Sequence, residues 1–92
     1  MTLMRFEWDP RKALANWRKH AITFEEAASS FADDHGRFYE DREHPERFVL
    51  IAYSDAQRLI FCVHAELAHD CIRIISARLA TKPERRRYEE EG

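Results

Sequence analysis

The sequence predicts an α+β domain, and three observations carry that prediction. Two helix starts stand near the N-terminus, Asp9-Pro10 and Thr23-Phe24-Glu25-Glu26. Three apolar, β-branched runs follow, Arg47–Tyr53, Leu59–Ala65 and Cys71–Arg78, separated by short polar turns. A third helix start, Thr81 with Pro83 and Glu84, comes after them. The predicted order is strand, helix, helix, four-stranded antiparallel meander, helix.

Met4–Trp8 reads as a short strand with Phe6 and Trp8 on one face. Asp9 then caps a helix, and Pro10 takes a first position where its missing amide costs nothing. That helix runs to about His20, burying Ala13, Leu14 and Trp17 and leaving Arg11, Lys12, Arg18 and Lys19 outside. Thr23 and Glu26 form a capping box, with Ile22 and Ala27 as its hydrophobic staple. Phe24, Ala27, Ala28 and Phe31 fall at i, i+3, i+4 and i+7, the stripe of an amphipathic helix.

Asp33–Gly36 ends that helix, and Arg37–Glu40 is a short strand. Asp41–Pro45 is a polar turn that holds His44. Arg47–Tyr53 and Leu59–Ala65 pair as an antiparallel hairpin around Ser54-Asp55-Ala56-Gln57, and Glu66–Asp70 turns into the last strand. FVLIAY and LIFCV are apolar on both faces, so both sides of the sheet need cover. Two helices are expected on one face and the terminal helix at the sheet's edge.

Ninety-two residues, 45% of them hydrophobic and 35% charged, suit one modest core and one domain over 1–92. No apolar run approaches the roughly 20 residues of a membrane span, and no signal-peptide pattern is present. A cytoplasmic protein with no membrane partner is expected. Two cysteines, Cys62 and Cys71, fit a reducing compartment better than a disulfide scaffold. Cys62-x-His64 and His69-x-Cys71 carry zinc-ligating types, yet they lack a C-x-x-C knuckle and diverge on a flat hairpin. No metal and no cofactor are expected. The net charge of −2 conceals segregation: residues 24–57 carry nine acidic and three basic side chains, residues 58–88 three acidic and seven basic. An anion-attracting surface follows at the C-terminal end.

The functional candidates concentrate in Cys71–Glu90, where Arg73, Arg78, Lys82, Arg85, Arg86, Arg87 and Tyr88 share one strand-and-helix unit. These guanidiniums line a site or solvate an edge, and an enzyme and a binding module both fit. Strict alternation aims Arg73 and Arg78 to opposite sides of a straight strand; a bulge or bend near Ser76 would reconcile them. Tyr88 offers a ring for base stacking, a hydroxyl for proton transfer, or packing for the helix. His20, His44 and His64 are the residues that titrate nearest neutral pH. His44 sits beside Glu46, and His64 is expected to share a face with Cys62, Cys71 and Arg73.

FEWDP with Lys12, Asn16 and Lys19-His20, then FEEA and Phe31-Ala32-Asp33, resemble the BrnT toxin family. So do His44 with Glu46-Arg47-Phe48, and IRIISAR followed by Ala80-Thr81 and ERRRYE. These motifs keep the family's order over nearly the whole chain. The family often has glycine at the positions of Ala21 and Ala52, which puts a helix end and a strand neighbour in question. The resemblance implies a RelE-like fold and a metal-independent endoribonuclease that cleaves mRNA, free or on the ribosome, to arrest translation. It implies a BrnA-like antitoxin partner, with a homodimer or a toxin–antitoxin heterotetramer among the assemblies allowed. A non-catalytic RNA- or ribosome-binding protein, or a subunit that acts only within the antitoxin complex, is the alternative.

Metal-free RNA cleavage needs a group to take the 2′-hydroxyl proton and another to stabilise charge on phosphorus. Arginine suits the second task, because its planar fork grips phosphate and stays charged. The expected catalytic set is Arg78, Arg73, His44 and Tyr88. The expected RNA-contacting set is Lys82, Arg85, Arg86, His64, Lys12 and Lys19.

Overall fold

The computed structural model describes residues 4–91. Strand β1 (Arg5–Glu7) leads into helix α1 (Pro10–His20) and helix α2 (Phe24–Ser29), which ends in a 3₁₀ turn, Ser30–Ala32. Strands β2 (Arg37–Glu40), β3 (Phe48–Tyr53), β4 (Leu59–Leu67) and β5 (Cys71–Leu79) follow, and α3 (Lys82–Glu91) is the last helix. The five strands form one sheet in the order β1-β5-β4-β3-β2. The meander is antiparallel throughout, as expected. The sheet as a whole is mixed, however, because β1 joins β5 in parallel. Alternation defines the faces of a strand and is silent about its neighbour's direction, so this pairing was invisible in the residues.

The N-caps form as the residues dictate, but the Thr23 box is one-sided, because the Glu26 carboxylate accepts from Ser54 and Arg58 instead. The Asp9 carboxylate accepts from the Arg11 amide at 2.8 Å, and the Thr23 hydroxyl accepts from the Glu26 amide at 3.0 Å. At α3 the box is reciprocal: the Thr81 amide donates to Glu84 Oε1 at 2.8 Å and the Glu84 amide to Thr81 Oγ1 at 3.4 Å. Helix α1 stops at Ala21, which takes the left-handed conformation (φ 57°) and donates its amide to the Trp17 carbonyl. Glycine would hold that position without the Cβ penalty. Ala52 lies buried with its methyl facing Gly36, where any added Cβ would stand only 2.9 Å from Leu50 Cδ1.

Both faces of the sheet are covered, but not as expected. On the first face Ile22, Phe24, Ala27, Ile60, Cys62, Ile72, Ile74 and Ala77 form the main core, with Phe6, Trp8 and Phe31 against it. On the second face Val49, Ile51 and Leu59 form a smaller core with Tyr53, Phe61 and Tyr88. Helix α3 therefore packs on the second face and not at the sheet's edge, because these three apolar side chains need a lid.

Leu14 and Trp17 are half exposed, contrary to the predicted stripe, and Asn16 is the buried residue of α1. The cause is the short β1, whose ladder with β5 stops at Glu7↔Arg73. Beyond it, the Asn16 amide donates to the Ala77 carbonyl at 2.9 Å and accepts from the Ala77 amide at 3.0 Å. It also donates to the Ile22 carbonyl at 3.0 Å. One side chain thus continues the ladder where the strand runs out, satisfying backbone groups that burial would leave unpaired.

Candidate active site

A one-residue irregularity in β5 decides what can meet on the second face. The register runs Val63↔Ser76 and then His64↔Ile74, so Ile75 is an extra residue, a β-bulge. Ile72 and Ile74 before it and Ala77 after it all enter the same core. Arg73 and Arg78 consequently emerge on the opposite, second face together. The bend that the sequence left open is this bulge.

Arg78 stands over the Phe61 ring, its guanidinium carbon 3.9 Å from the ring centroid. Its Nη1 and Nη2 donate to the two oxygens of Glu84 at 2.8 and 2.9 Å, and Nη1 also reaches the Leu79 carbonyl at 3.2 Å. Burial alone would raise the Glu84 carboxyl; the Arg78 fork and the Thr81 amide outweigh it and hold that carboxyl below its ordinary range. Arg73 donates to Glu7 at 2.8 Å, and the Cys71 thiol lies 3.5 Å from the same carboxylate.

Next to Arg78 opens a groove of about 750 Å³. Val49, Ile51 and Phe61 give its floor, and Asp41, Arg42 and Arg87 stand at its sides. Phe61 belongs to both places: it lines the groove and lies beneath the Arg78 guanidinium.

The remaining candidates are dispersed. Tyr88 donates its hydroxyl to Asp33 at 2.7 Å and sets its ring edge-on to Tyr53. Burial, and then the Asp33 carboxylate, push its phenol up to about 12. Of its three readings, packing of the helix is the one these contacts express. Arg85 donates to the Tyr53 hydroxyl at 2.9 Å, and Arg87 lies over Tyr39. Lys82 and Arg86 are exposed on α3. Lys12 and Lys19 on α1 line a separate hollow of about 240 Å³ with His20, Ile75 and Ser76, beside the β5 bulge. His44 is exposed on the β2–β3 turn, 3.9 Å from Glu46, and touches neither Arg73 nor Arg78 among the described residues.

His64 does not belong to an RNA-contacting set. It is 0% exposed, boxed by Phe31, Phe38 and Phe48 on the first face, and the bulge puts Cys71 and Arg73 on the other face. Burial lowers its pKa, partly offset by the Cys62 carbonyl and the Glu66 charge. The zinc-type set is split in the same way: Cys62 and His64 point into the first face, Cys71 into the second. Among the described residues no cluster of three or more His, Cys, Asp or Glu is placed to hold a metal ion.

Sequence reasoning missed Glu84 as the partner of Arg78, Glu7 as the partner of Arg73, and Asn16. One signal was present for the first. A capping-box carboxylate six residues after an arginine, across a strand-to-helix turn, is within reach of it.

A profile of the family described as "Ribonuclease toxin, BrnT, of type II toxin-antitoxin system" matches residues 8–84. Among solved structures, the chain is similar to the ribonuclease toxin BrnT of Brucella abortus, determined at 1.1 Å resolution. The TM-score is 0.71 at 18% identity, covering 87% of this chain and 100% of that one, which is a likeness of fold. A search of curated proteins finds no match. No described helix is long and apolar enough to cross a membrane.

Proposed function

The chain belongs to the BrnT family of ribonuclease toxins of type II toxin–antitoxin systems, and from that premise we propose a metal-independent RNA cleavage on the second face of the sheet. Arg78 and Arg73 hold the scissile phosphate. The RNA 2′-oxygen attacks phosphorus, the P–O5′ bond breaks, the leaving 5′-oxygen takes a proton from water, and the products are a 2′,3′-cyclic phosphate and a 5′-hydroxyl. His44 takes the 2′-hydroxyl proton, acting from the turn that supplies Asp41 and Arg42 to the groove beside Phe61. Lys82 and Arg86 on α3, and Lys12 and Lys19 on α1, draw in the RNA. The substrate is mRNA, and a BrnA-like antitoxin silences the chain by covering the arginine strip and α3.

The observation that carries this reading is the bulge at Ile75, which puts two part-exposed arginines on one face. Strand residues five apart would otherwise point to opposite sides. A bulge beside a charged pair re-aims side chains in this way, and bulges are common beside active sites.

The test is cleavage of a defined RNA by the purified chain, with and without EDTA, read by the chemistry of the new ends. Cutting that persists in EDTA and leaves 5′-hydroxyl ends is the expected result. Arg78→Ala should slow it by on the order of 10²-fold or more while circular dichroism is unchanged. Arg78→Lys should recover only part of the loss, since it lacks the fork. A folded Arg78→Ala chain that cuts at the parental rate would place the site elsewhere.

A further inference from the structure

We propose that Glu84 is the positioning residue that makes Arg78 a phosphate-holding group, an inference that rests on the site proposed above. A guanidinium carries five N–H donors in a fixed plane. In Arg78, one Nη1 hydrogen and one Nη2 hydrogen go to Glu84, and the second Nη1 hydrogen goes to the Leu79 carbonyl. What remains, with no partner among the described residues, is the Nε–H and the second Nη2–H, the side edge of the same plane. That edge is itself a two-pronged donor with the spacing that phosphate oxygens accept.

Three contacts thus fix the plane. Glu84 grips its end, the Leu79 carbonyl holds one corner, and the Phe61 ring lies flat beneath it. Glu84 is itself fixed, because its Oε1 also accepts the Thr81 amide at the start of α3. The strand that carries Arg78 and the helix that follows are therefore locked through one carboxylate. A long, flexible side chain on an open face would otherwise sample many orientations, and the entropy of fixing it would fall on the transition state.

Two other roles for Glu84 predict different behaviour. An internal competitor that occupies Arg78 in place of RNA would slow binding, and its removal would raise activity. A mere helix cap would act on stability alone and would have no dependence on Arg78. A positioning residue lowers the rate when removed, leaves binding of RNA nearly unchanged because the Arg78 charge remains, and has no effect once Arg78 is gone.

The experiment is single-turnover cleavage by the full chain in a double-mutant cycle, Arg78→Ala against Glu84→Ala, with Glu84→Gln as the conservative variant. Circular dichroism and melting temperature are recorded for each. We expect Glu84→Ala to lower the cleavage rate by on the order of 10²-fold with RNA affinity within about threefold of the parent. Glu84→Gln, which keeps an acceptor for Thr81, should lie between. In the Arg78→Ala background either change should alter the rate less than about twofold. A rise in rate on removing Glu84 would overturn the proposal in favour of a competitor. An equal loss in both backgrounds would overturn it in favour of a cap. If Arg78→Ala cuts like the parent, the site itself fails and this role falls with it; dependence on Arg78 without dependence on Glu84 sinks only the role.

Discussion

At the scale of single residues, His64 shows how far a side chain's type underdetermines its use. Its type and strand position suggested a wet histidine, and its neighbours supply an aromatic box with Nε2 unpartnered. A buried imidazole with a lowered pKa must charge more readily unfolded than folded, so the unfolded chain binds the extra proton first. Stability is whole above the ordinary histidine value of 6.5 and is lost as pH falls from there through the lowered folded value. His64→Phe, which fills the box without a polar atom, should abolish that part of the loss. Melting temperatures at pH 7.5 and 5.5 decide it: the parent should drop between them and the variant should hold. Equal drops would mean that His64 takes up its proton alike in the folded and the unfolded chain. Further loss belongs to lower pH, where Glu26, Asp33 and Glu84, all held below their ordinary values, take up protons.

At the scale of elements, what was legible is what local chemistry dictates. All three helix starts could be read, because each cap is a contact between residues two or three apart. The four meander strands could be read from their apolar runs and turns. The parallel β1, the buried Asn16 and the seat of α3 could not, since each depends on residues tens of positions away. The arginines of β5 were half legible: alternation posed the conflict, and the extra residue at Ile75 resolved it.

Helix α3 offers a check on its own assignment. Its seat on the second face is made by Tyr88 to Asp33, Arg85 to Tyr53 and the Thr81–Glu84 box. Tyr88→Phe removes a hydrogen bond to a carboxylate, worth about 1.5–3 kcal/mol in typical proteins and less at this half-exposed site. The α3 amides should then exchange faster with solvent while cleavage stays within about twofold of the parent. A large loss of cleavage with α3 protection unchanged would return Tyr88 to the chemistry as a proton donor.

At the scale of the whole molecule, the charge count of the sequence overstates the electropositive surface. Arg58 is spent on Glu26, Arg73 on Glu7 and Arg78 on Glu84. The C-terminal segment keeps its formal excess of basic residues, yet much of it is balanced within the fold. Long-range attraction of RNA then falls to the exposed Lys82 and Arg86 on α3 and to the lysines lining the α1 hollow. Each phosphate they neutralise releases counterions, so RNA affinity should fall with salt at a slope of about −0.7 per contact on a single strand. Replacing Lys82 and Arg86 together by alanine should weaken binding for every sequence alike, flatten that slope by about 1.4, and leave the cut position unchanged. Replacing Lys12 and Lys19 should do the same only if the RNA passes from the arginine strip around the β5 edge to α1. Measuring the slope for both pairs therefore traces the strand's path. An unchanged slope for the α3 pair, with the chain folded and active, would show that RNA does not run along that helix.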